Sequence, residues 1–175
     1  MDQIISNILE KEIDDIYEII EFMRKIFTEE ILMFDENGDD WSPEYEKYVK
    51  LEEYLIKHPE FFILESIPKL LELFNDFSYS INVMDSYTNI VSNIIIYYKE
   101  EGVHEYFNNI DIVTPRGRLY GKYMVVRNLL HDDYELLENA IMKEDIRIKE
   151  AAKKIIKEMG FSYLNEKKEN LLIKL

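Results

Sequence analysis

Apolar residues recur every three or four positions along most of this 175-residue chain, and that spacing places them on one face of an α-helix. No stretch of roughly four to eight residues alternates apolar and polar side chains between hairpin turns, so no β-strand is predicted. The first instance of the pattern predicts a long helix over about residues 2–27, with an acidic opposite face. Its apolar positions are Ile5, Ile8, Leu9, Ile13, Ile16, Ile20, Met23 and Phe27. The chain is therefore expected to be all-α.

Capping and turn residues divide the rest of the chain into further helices. Ser42 suits an N-cap and Pro43 the first helical position, where a missing N–H is tolerated. By the same reasoning Asp133 and Asp145 are predicted N-caps of two late helices, and Gly102 the end of a long one. The predicted helices cover about 43–57, two short segments within 59–73, and then 81–100, 103–110, 118–131, 134–143 and 146–159.

Short turns between these helices predict antiparallel pairs stacked as a short HEAT-like α-solenoid, with the long N-terminal helix beside them. The last pair fits best, because Asp145 and Arg147 open its second helix and Ala151-Ala152 allow close approach. With 47% apolar residues and a length suited to one core, residues 1–175 are expected to form a single domain. Its predicted parts are acidic N-terminal helices (1–58), helix pairs (59–160) and a C-terminal tail (161–175).

Acidic residues are concentrated toward the N-terminus. Residues 1–113 carry 26 Asp/Glu against 8 Lys/Arg, a net charge of −18, whereas residues 114–175 carry 10 against 13, a net charge of +3. The negative electrostatic field of such a chain repels nucleic acid and anionic membrane and attracts a basic partner. The one basic cluster comprises Arg116-Gly117-Arg118, Lys122 and Arg127. Salt bridges to the acidic half are its expected role, with phosphate or RNA binding as the alternative.

An acidic loop over residues 35–41 is the predicted contact region for a basic partner. Two interpretations of its aromatic residue, Trp41, remain open. It is either an anchor within an acidic rim or a staple that packs the helix beginning at Pro43 on the first helix. The next candidate surface is the polar face of the 81–100 helix. The predicted partner-binding residues are Asp35, Glu36, Asp39, Asp40 and Trp41 in the loop, and Asp85 and Tyr87 on the helix.

Catalytic and metal-binding patterns are weak. The chain has no Cys, which excludes disulfides and thiolate chemistry, and it has neither a Gly-x-Ser-x-Gly elbow nor a phosphate-binding glycine loop. Residues 35–46 resemble a calcium loop, but Asp40 stands where that loop requires glycine. Glu101-x-x-His104 has the spacing of a di-iron ligand pair, but Gly102 interrupts it. We therefore expect no enzyme activity, no cofactor and no metal.

Targeting signals are not recognisable in the sequence. The first residues lack a basic segment leading into an apolar run, so no secretory signal is predicted. No apolar run approaches the roughly 20 residues that a membrane span requires. The expected location is the reducing cytoplasm, consistent with the absence of Cys.

Four features between Ile67 and Met159 follow the order found in a known family. They are Ile67-Pro68-x-Leu70-Leu71 entering a helix, a long apolar helix after Asp76, Tyr123-x-x-x-Arg127, and the Tyr134–Leu137/Asp145–Ala152 pair. In these features the chain resembles the all-α immunity family numbered thirty of bacterial polymorphic toxin and contact-dependent inhibition systems. The resemblance implies a protein that binds and neutralises a cognate toxin, commonly a nuclease. The acidic charge independently favours such a basic partner. The alternative is a helical-repeat adaptor that binds proteins but has no toxin partner.

Overall fold

A computed structural model describes residues 16–28, 43–75, 81–113, 119–160 and 162–175. Within these ranges the chain forms eight α-helices and no β-strand, so the all-α prediction is confirmed for the described residues. The helices are α1 (Ile16–Thr28), α2 (Pro43–Lys57), α3 (Ile67–Leu73), α4 (Ile81–Asn108), α5 (Leu119–Asp132), α6 (Tyr134–Lys143), α7 (Ile146–Glu158) and α8 (Asn165–Lys174). Short 3-10 helices lie at Pro59–Phe61, Leu64–Ser66, Ile110–Ile112 and Ser162–Leu164.

Local sequence signals place several helix ends correctly. Pro43 is the first described residue of α2, and its predicted N-cap Ser42 lies outside the described residues. The side chain of Asp133 accepts a hydrogen bond from the Leu136 backbone N–H at 3.1 Å and so caps α6. Asp145 caps α7 in the same way, accepting from the Ile148 N–H at 3.0 Å. Each cap satisfies a backbone donor that has no partner inside its helix.

The long helix α4 lies at the centre of the packing. It contacts α2 and α3 on the N-terminal side and α5, α6 and α7 on the C-terminal side. Its buried apolar side chains are spaced three or four residues apart on either side of Lys99, so each segment buries one apolar stripe. They are Tyr87, Ile90, Val91, Ile94, Ile95, Val103, Tyr106 and Phe107.

α4 is bent at Lys99, whose φ of 55° and ψ of −132° are not helical. The helix resumes beyond the bend, and Gly102 lies inside this second segment. A Cβ atom at Gly102 would lie 2.5 Å from the carbonyl oxygen of Ile95. The prediction that Gly102 ends the long helix is therefore wrong. Its missing side chain allows close approach to Ile95, and the break itself falls at Lys99.

A buried polar seam joins α4 to α5. Asn128 on α5 is 6% exposed, and its amide donates to Asn89 Oδ1 at 2.9 Å and to Ser92 Oγ at 3.3 Å. Its own Oδ1 accepts from the Arg127 guanidinium at 2.9 and 3.1 Å. Because buried polar groups are destabilising unless they are hydrogen-bonded, these contacts fix how α5 lies along α4.

The two ends of the described chain are both helical. Ile19, Ile20 and Met23 bury the apolar side of α1, which packs on α3; residues 1–15 of the predicted first helix lie outside the described residues. At the other end the predicted C-terminal tail contains α8, which packs on α6 and α7. Leu164 and Leu171 are both buried, and their seven-residue spacing places them on one side across two helical turns.

Candidate partner-binding surface

The predicted contact residues do not form one described surface. Asp35, Glu36, Asp39, Asp40 and Trp41 lie outside the described residues. Asp85 is exposed in the first turns of α4. Tyr87 is fully buried, and its hydroxyl donates to the Leu70 carbonyl while its ring contacts Phe74 at 5.1 Å.

The placement of Tyr87 on the polar face of its helix is therefore wrong. Residues two positions apart in an α-helix point to nearly opposite sides, so Asp85 and Tyr87 do not share a face. Asp85 points to solvent, whereas Tyr87 packs toward α3. Of this predicted pair only Asp85 is available to a partner.

Exposed carboxylates without an ion pair remain over the described part of residues 1–113. They are Glu18, Glu65, Asp85, Glu101 and Asp111. The ion pairs formed within the same part join neighbours along the chain: Glu21–Arg24, Glu46–Lys50, Glu53–Lys57, His58–Glu60 and Lys69–Glu72. Exposed ion pairs between near neighbours offset charge only locally, and each adds little to the free energy of unfolding. The acidic excess of the N-terminal part therefore stays at the surface.

The bend in α4 opens a groove against α6. The groove has a volume of about 450 Å³ and is lined by Tyr98, Lys99, Glu100, Glu101 and Leu136. It is open to solvent and combines an aromatic ring, an aliphatic side chain and carboxylates. The groove lies at the bend, because its lining residues 98–101 bracket Lys99.

Tyr98 lines this groove, and Tyr97 precedes it along α4. Tyr97 is 49% exposed, and its ring lies 5.1 Å from that of Tyr98 in an edge-to-face arrangement. The hydroxyl of Tyr98 donates to the Phe62 carbonyl. Partial burial raises the pKa of Tyr98, with smaller contributions from Tyr97 and Glu65.

A ladder of polar contacts holds the second segment of α4 against the turn between α6 and α7. Its α4 members are spaced four residues apart and so lie along one face. The contacts are Glu100–Lys143 at 2.5 Å, His104–Glu144 at 2.8 Å and Asn108–Arg147. The ladder fixes one wall of the groove. It also supplies one ion pair between the acidic and basic parts of the chain, Glu100–Lys143.

The basic cluster does not act as one unit in the described residues. Arg116 and Arg118 lie outside them. Burial and the nearby Lys154 lower the pKa of Lys122, while Asp111 and Glu158 oppose that shift. Arg127 instead serves the polar seam described above. Asp111 is the acidic group of residues 1–113 that acts on Lys122, and the salt-bridging role of the whole cluster stays a prediction.

Residues spaced like metal ligands in the sequence do not come together as a ligand set in the described part of the chain. His104 contacts Glu144 rather than Glu101, which lines the groove. No group of three or more His, Asp or Glu residues suited to a metal ion occurs among the described residues. The calcium-like loop falls outside them. None of the described helices combines the length and the apolar character that crossing a bilayer requires.

Comparison with protein-family models, curated protein sequences and solved structures found no match to this chain. Functional inference therefore depends on the side chains, charges and surfaces of this chain itself.

Proposed function

We propose that this chain is an immunity protein that binds a cognate protein toxin, a nuclease, and neutralises it through an acidic surface. The observation that carries the proposal is the set of exposed carboxylates without an ion pair between Glu18 and Asp111. A nuclease holds phosphates with a basic surface, and an acidic protein complements that surface. The toxin acts inside the cell, so the proposed location of the inhibitor is the cytoplasm.

The proposed architecture is a short HEAT-like stack of helix pairs. The principal contacts join helices that are near each other along the chain, as expected when each pair packs on the next. In the last pair Ala152 is fully buried and Ala151 packs against the core, which supports close approach of α7 to α6. Such a stack presents one continuous outer surface to a partner.

The proposed contact region is the acidic loop with Trp41, joined by Asp85 from α4. Exposed charges chiefly accelerate association, whereas a buried aromatic anchor slows dissociation. Reversing Asp39 and Asp40 to Lys should lower the association rate and weaken its dependence on salt. Trp41→Ala should shorten the lifetime of the complex by about 30-fold, corresponding to about 2 kcal/mol for an aromatic hot spot.

A matched control exists on α8, where Glu166 and Glu169 are both exposed. Reversing these two glutamates changes the net charge by the same amount but in the basic part of the chain. It should alter the association rate much less than the loop variant. Circular dichroism of each free variant must first show native helicity, because Trp41 is also a candidate for packing.

The decisive binding experiment is co-expression with the product of the adjacent gene. Recovery of a stable complex, together with protection of cells from that product, supports immunity. If the adjacent product is harmless and does not bind, while the chain captures an unrelated helical or peptide partner, the adaptor alternative replaces the proposal.

A further inference from the structure

We propose that the outward side of α4, from Asp85 to Tyr97, binds an extended peptide segment of the partner protein. The identity of that partner rests on the proposed function, whereas the surface itself does not. Asp85, Asn89, Asn93 and Tyr97 are spaced four residues apart, so they follow one side of the helix up to the bend. Asp85 and Tyr97 are exposed, and the two asparagines are half-buried. Together these four residues form the amide stripe.

The polar seam between α4 and α5 decides which end of the Asn89 amide stays free. The Arg127 guanidinium can only donate, so it contacts the oxygen of Asn128 and leaves the Asn128 NH2 group as a donor. That NH2 group donates to Asn89 Oδ1 at 2.9 Å. The Asn89 NH2 group has no hydrogen-bond partner among the described residues, so the stripe has a free donor at this position.

Asn93 has the opposite free end. Its NH2 group donates to the backbone carbonyl of Asn89 at 2.9 Å, and its Oδ1 is left as an acceptor without a partner among the described residues. Asp85, one turn away on the other side of Asn89, adds a carboxylate that forms no ion pair. The stripe therefore presents an acceptor, a donor and an acceptor in order along the helix.

An extended peptide backbone has the matching pattern. N–H and C=O groups alternate along one edge of an extended chain, and equivalent groups repeat every two residues, roughly 6.6–6.8 Å apart. Residues four apart in an α-helix are separated by about 6 Å along its axis. A C=O group of the segment can therefore bond the Asn89 donor while N–H groups on either side of it bond Asn93 and Asp85. A helical segment lacks such an edge, because its N–H and C=O groups are bonded within the helix.

The charge of the stripe favours a basic residue at one end of the segment. Asp85 is its only charged member and is exposed without an ion pair. The Arg127 guanidinium is bonded to Asn128, and Lys99 lies at the far end, roughly 20 Å from Asp85 along the helix axis. Tyr97 at that end is 49% exposed and offers an aromatic surface to an apolar side chain. The expected occupant is an extended segment with lysine or arginine at the Asp85 end.

The test is an NMR titration of the full chain with the capped hexapeptide Lys-Val-Thr-Val-Thr-Lys. The control peptide has the same sequence with every backbone amide N-methylated, so it keeps the charges but lacks backbone N–H donors. At about 0.15 M salt, where distant charges are screened, we expect saturable shifts of the Asn89 and Asn93 side-chain NH2 resonances with the first peptide only. Equal shifts with both peptides would overturn the proposal. Shifts that depend on protein concentration without peptide would mean that a second copy covers the stripe, which would also overturn it.

Asn89→Asp separates hydrogen bonding from charge. Aspartate keeps the oxygen that accepts from Asn128, removes the free donor and adds a negative charge. We expect peptide binding to weaken by about two- to tenfold, the usual effect of losing one hydrogen bond, although the added charge attracts the lysines. Asn170→Asp on the exposed side of α8 makes the same charge change outside the stripe and should not weaken binding. Equal or tighter binding in Asn89→Asp would overturn the proposal.

Asn93→Ala is a second, independent variant. It removes the free acceptor, and alanine is a strong helix former, so the variant is expected to fold. Its affinity for the hexapeptide should also fall by about two- to tenfold. Circular dichroism and urea denaturation first establish that each variant is folded. Unchanged affinity in folded Asn93→Ala would contradict recognition of the peptide backbone by this stripe.

The same variants separate this inference from the proposed function. Hexapeptide binding at the stripe without any toxin complex would remove the immunity proposal and leave the stripe as a site for an extended segment of another protein. A toxin complex whose affinity is unchanged by Asn89→Asp and Asn93→Ala would remove the stripe from the interface and leave the immunity proposal standing.

Discussion

Lys99→Gly is predicted to stabilise this protein, although a glycine placed within a helix normally does the opposite. Lys99 has a φ of 55° and a ψ of −132°, which resembles the first central position of a type II′ turn, where glycine is preferred. A residue with a Cβ atom in such a region is strained by about 1–3 kcal/mol. Glycine adopts it without that strain.

The expected change in the free energy of unfolding on Lys99→Gly is the difference between two opposing effects. Relief of strain contributes about 1–3 kcal/mol, and the greater freedom of glycine in the unfolded chain removes about 1 kcal/mol. The lysine side chain is exposed and forms no ion pair among the described residues, so little else is lost. The net gain is about 1 kcal/mol, or about 2–4 °C in Tm for a domain of this size.

Urea denaturation followed by circular dichroism measures this difference directly. Glu101→Gly is the matched control, because Glu101 is exposed in the helical segment beyond the bend. It should destabilise the fold by about 1 kcal/mol, the ordinary effect of glycine within a helix. If Lys99→Gly lost as much stability as Glu101→Gly, residue 99 would be helical and α4 would not be bent there.

Gly102→Ala should destabilise the protein by about 1–3 kcal/mol, because its Cβ atom would lie 2.5 Å from a backbone oxygen. Gly160→Ala is the control and should be neutral in the same urea assay, because a Cβ atom at Gly160 has nothing within 4 Å. Tyr54→Phe should leave stability unchanged or raise it by up to about 1 kcal/mol, because the buried Tyr54 hydroxyl has no hydrogen-bond partner among the described residues. Tyr106→Phe should instead lower stability by about 1 kcal/mol, since the Tyr106 hydroxyl donates to a backbone carbonyl at 2.8 Å. Backbone hydrogen bonding holds the pKa of Asp145 below its ordinary value of 3.8, so its stabilising effect is present above that pH and lost as the pH falls through the lowered pKa. Asp145→Asn keeps a capping side chain and should flatten this acid-side loss of stability; an unchanged pH profile would contradict the cap.

Helix existence and several helix ends were predictable because they depend on local physics. The spacing of Ile19, Ile20 and Met23 specifies a buried stripe whatever surrounds it. Pro43, Asp133 and Asp145 act within their own first turns, so they mark helix starts without knowledge of the tertiary fold.

Features that depend on tertiary contacts were not predictable in the same way. Gly102 marks a close approach to Ile95, and glycine serves that purpose and helix termination equally well. No signal in the sequence identifies Lys99 as the bend, because lysine is an ordinary helix former. The burial of Tyr87 could have been foreseen from its two-residue offset from Asp85.

The candidate partner-binding surface also has a part that the sequence predicts and a part that depends on tertiary contacts. The excess of carboxylates is visible in the sequence, since 26 Asp/Glu stand against 8 Lys/Arg in residues 1–113. The groove is not visible, because it joins residues 98–101 to Leu136, which is distant in the chain. Lys143 and Arg147 reach α4 only through the packing of the α6–α7 turn.

The central claim is that this acidic chain inactivates a basic toxin by stoichiometric binding. Its most direct test is a titration of the purified product of the adjacent gene, with nuclease activity measured as this protein is added. We expect nuclease activity to fall in proportion to added protein and to reach its minimum near one equivalent. Full nuclease activity in the presence of a large excess of the folded protein would contradict it.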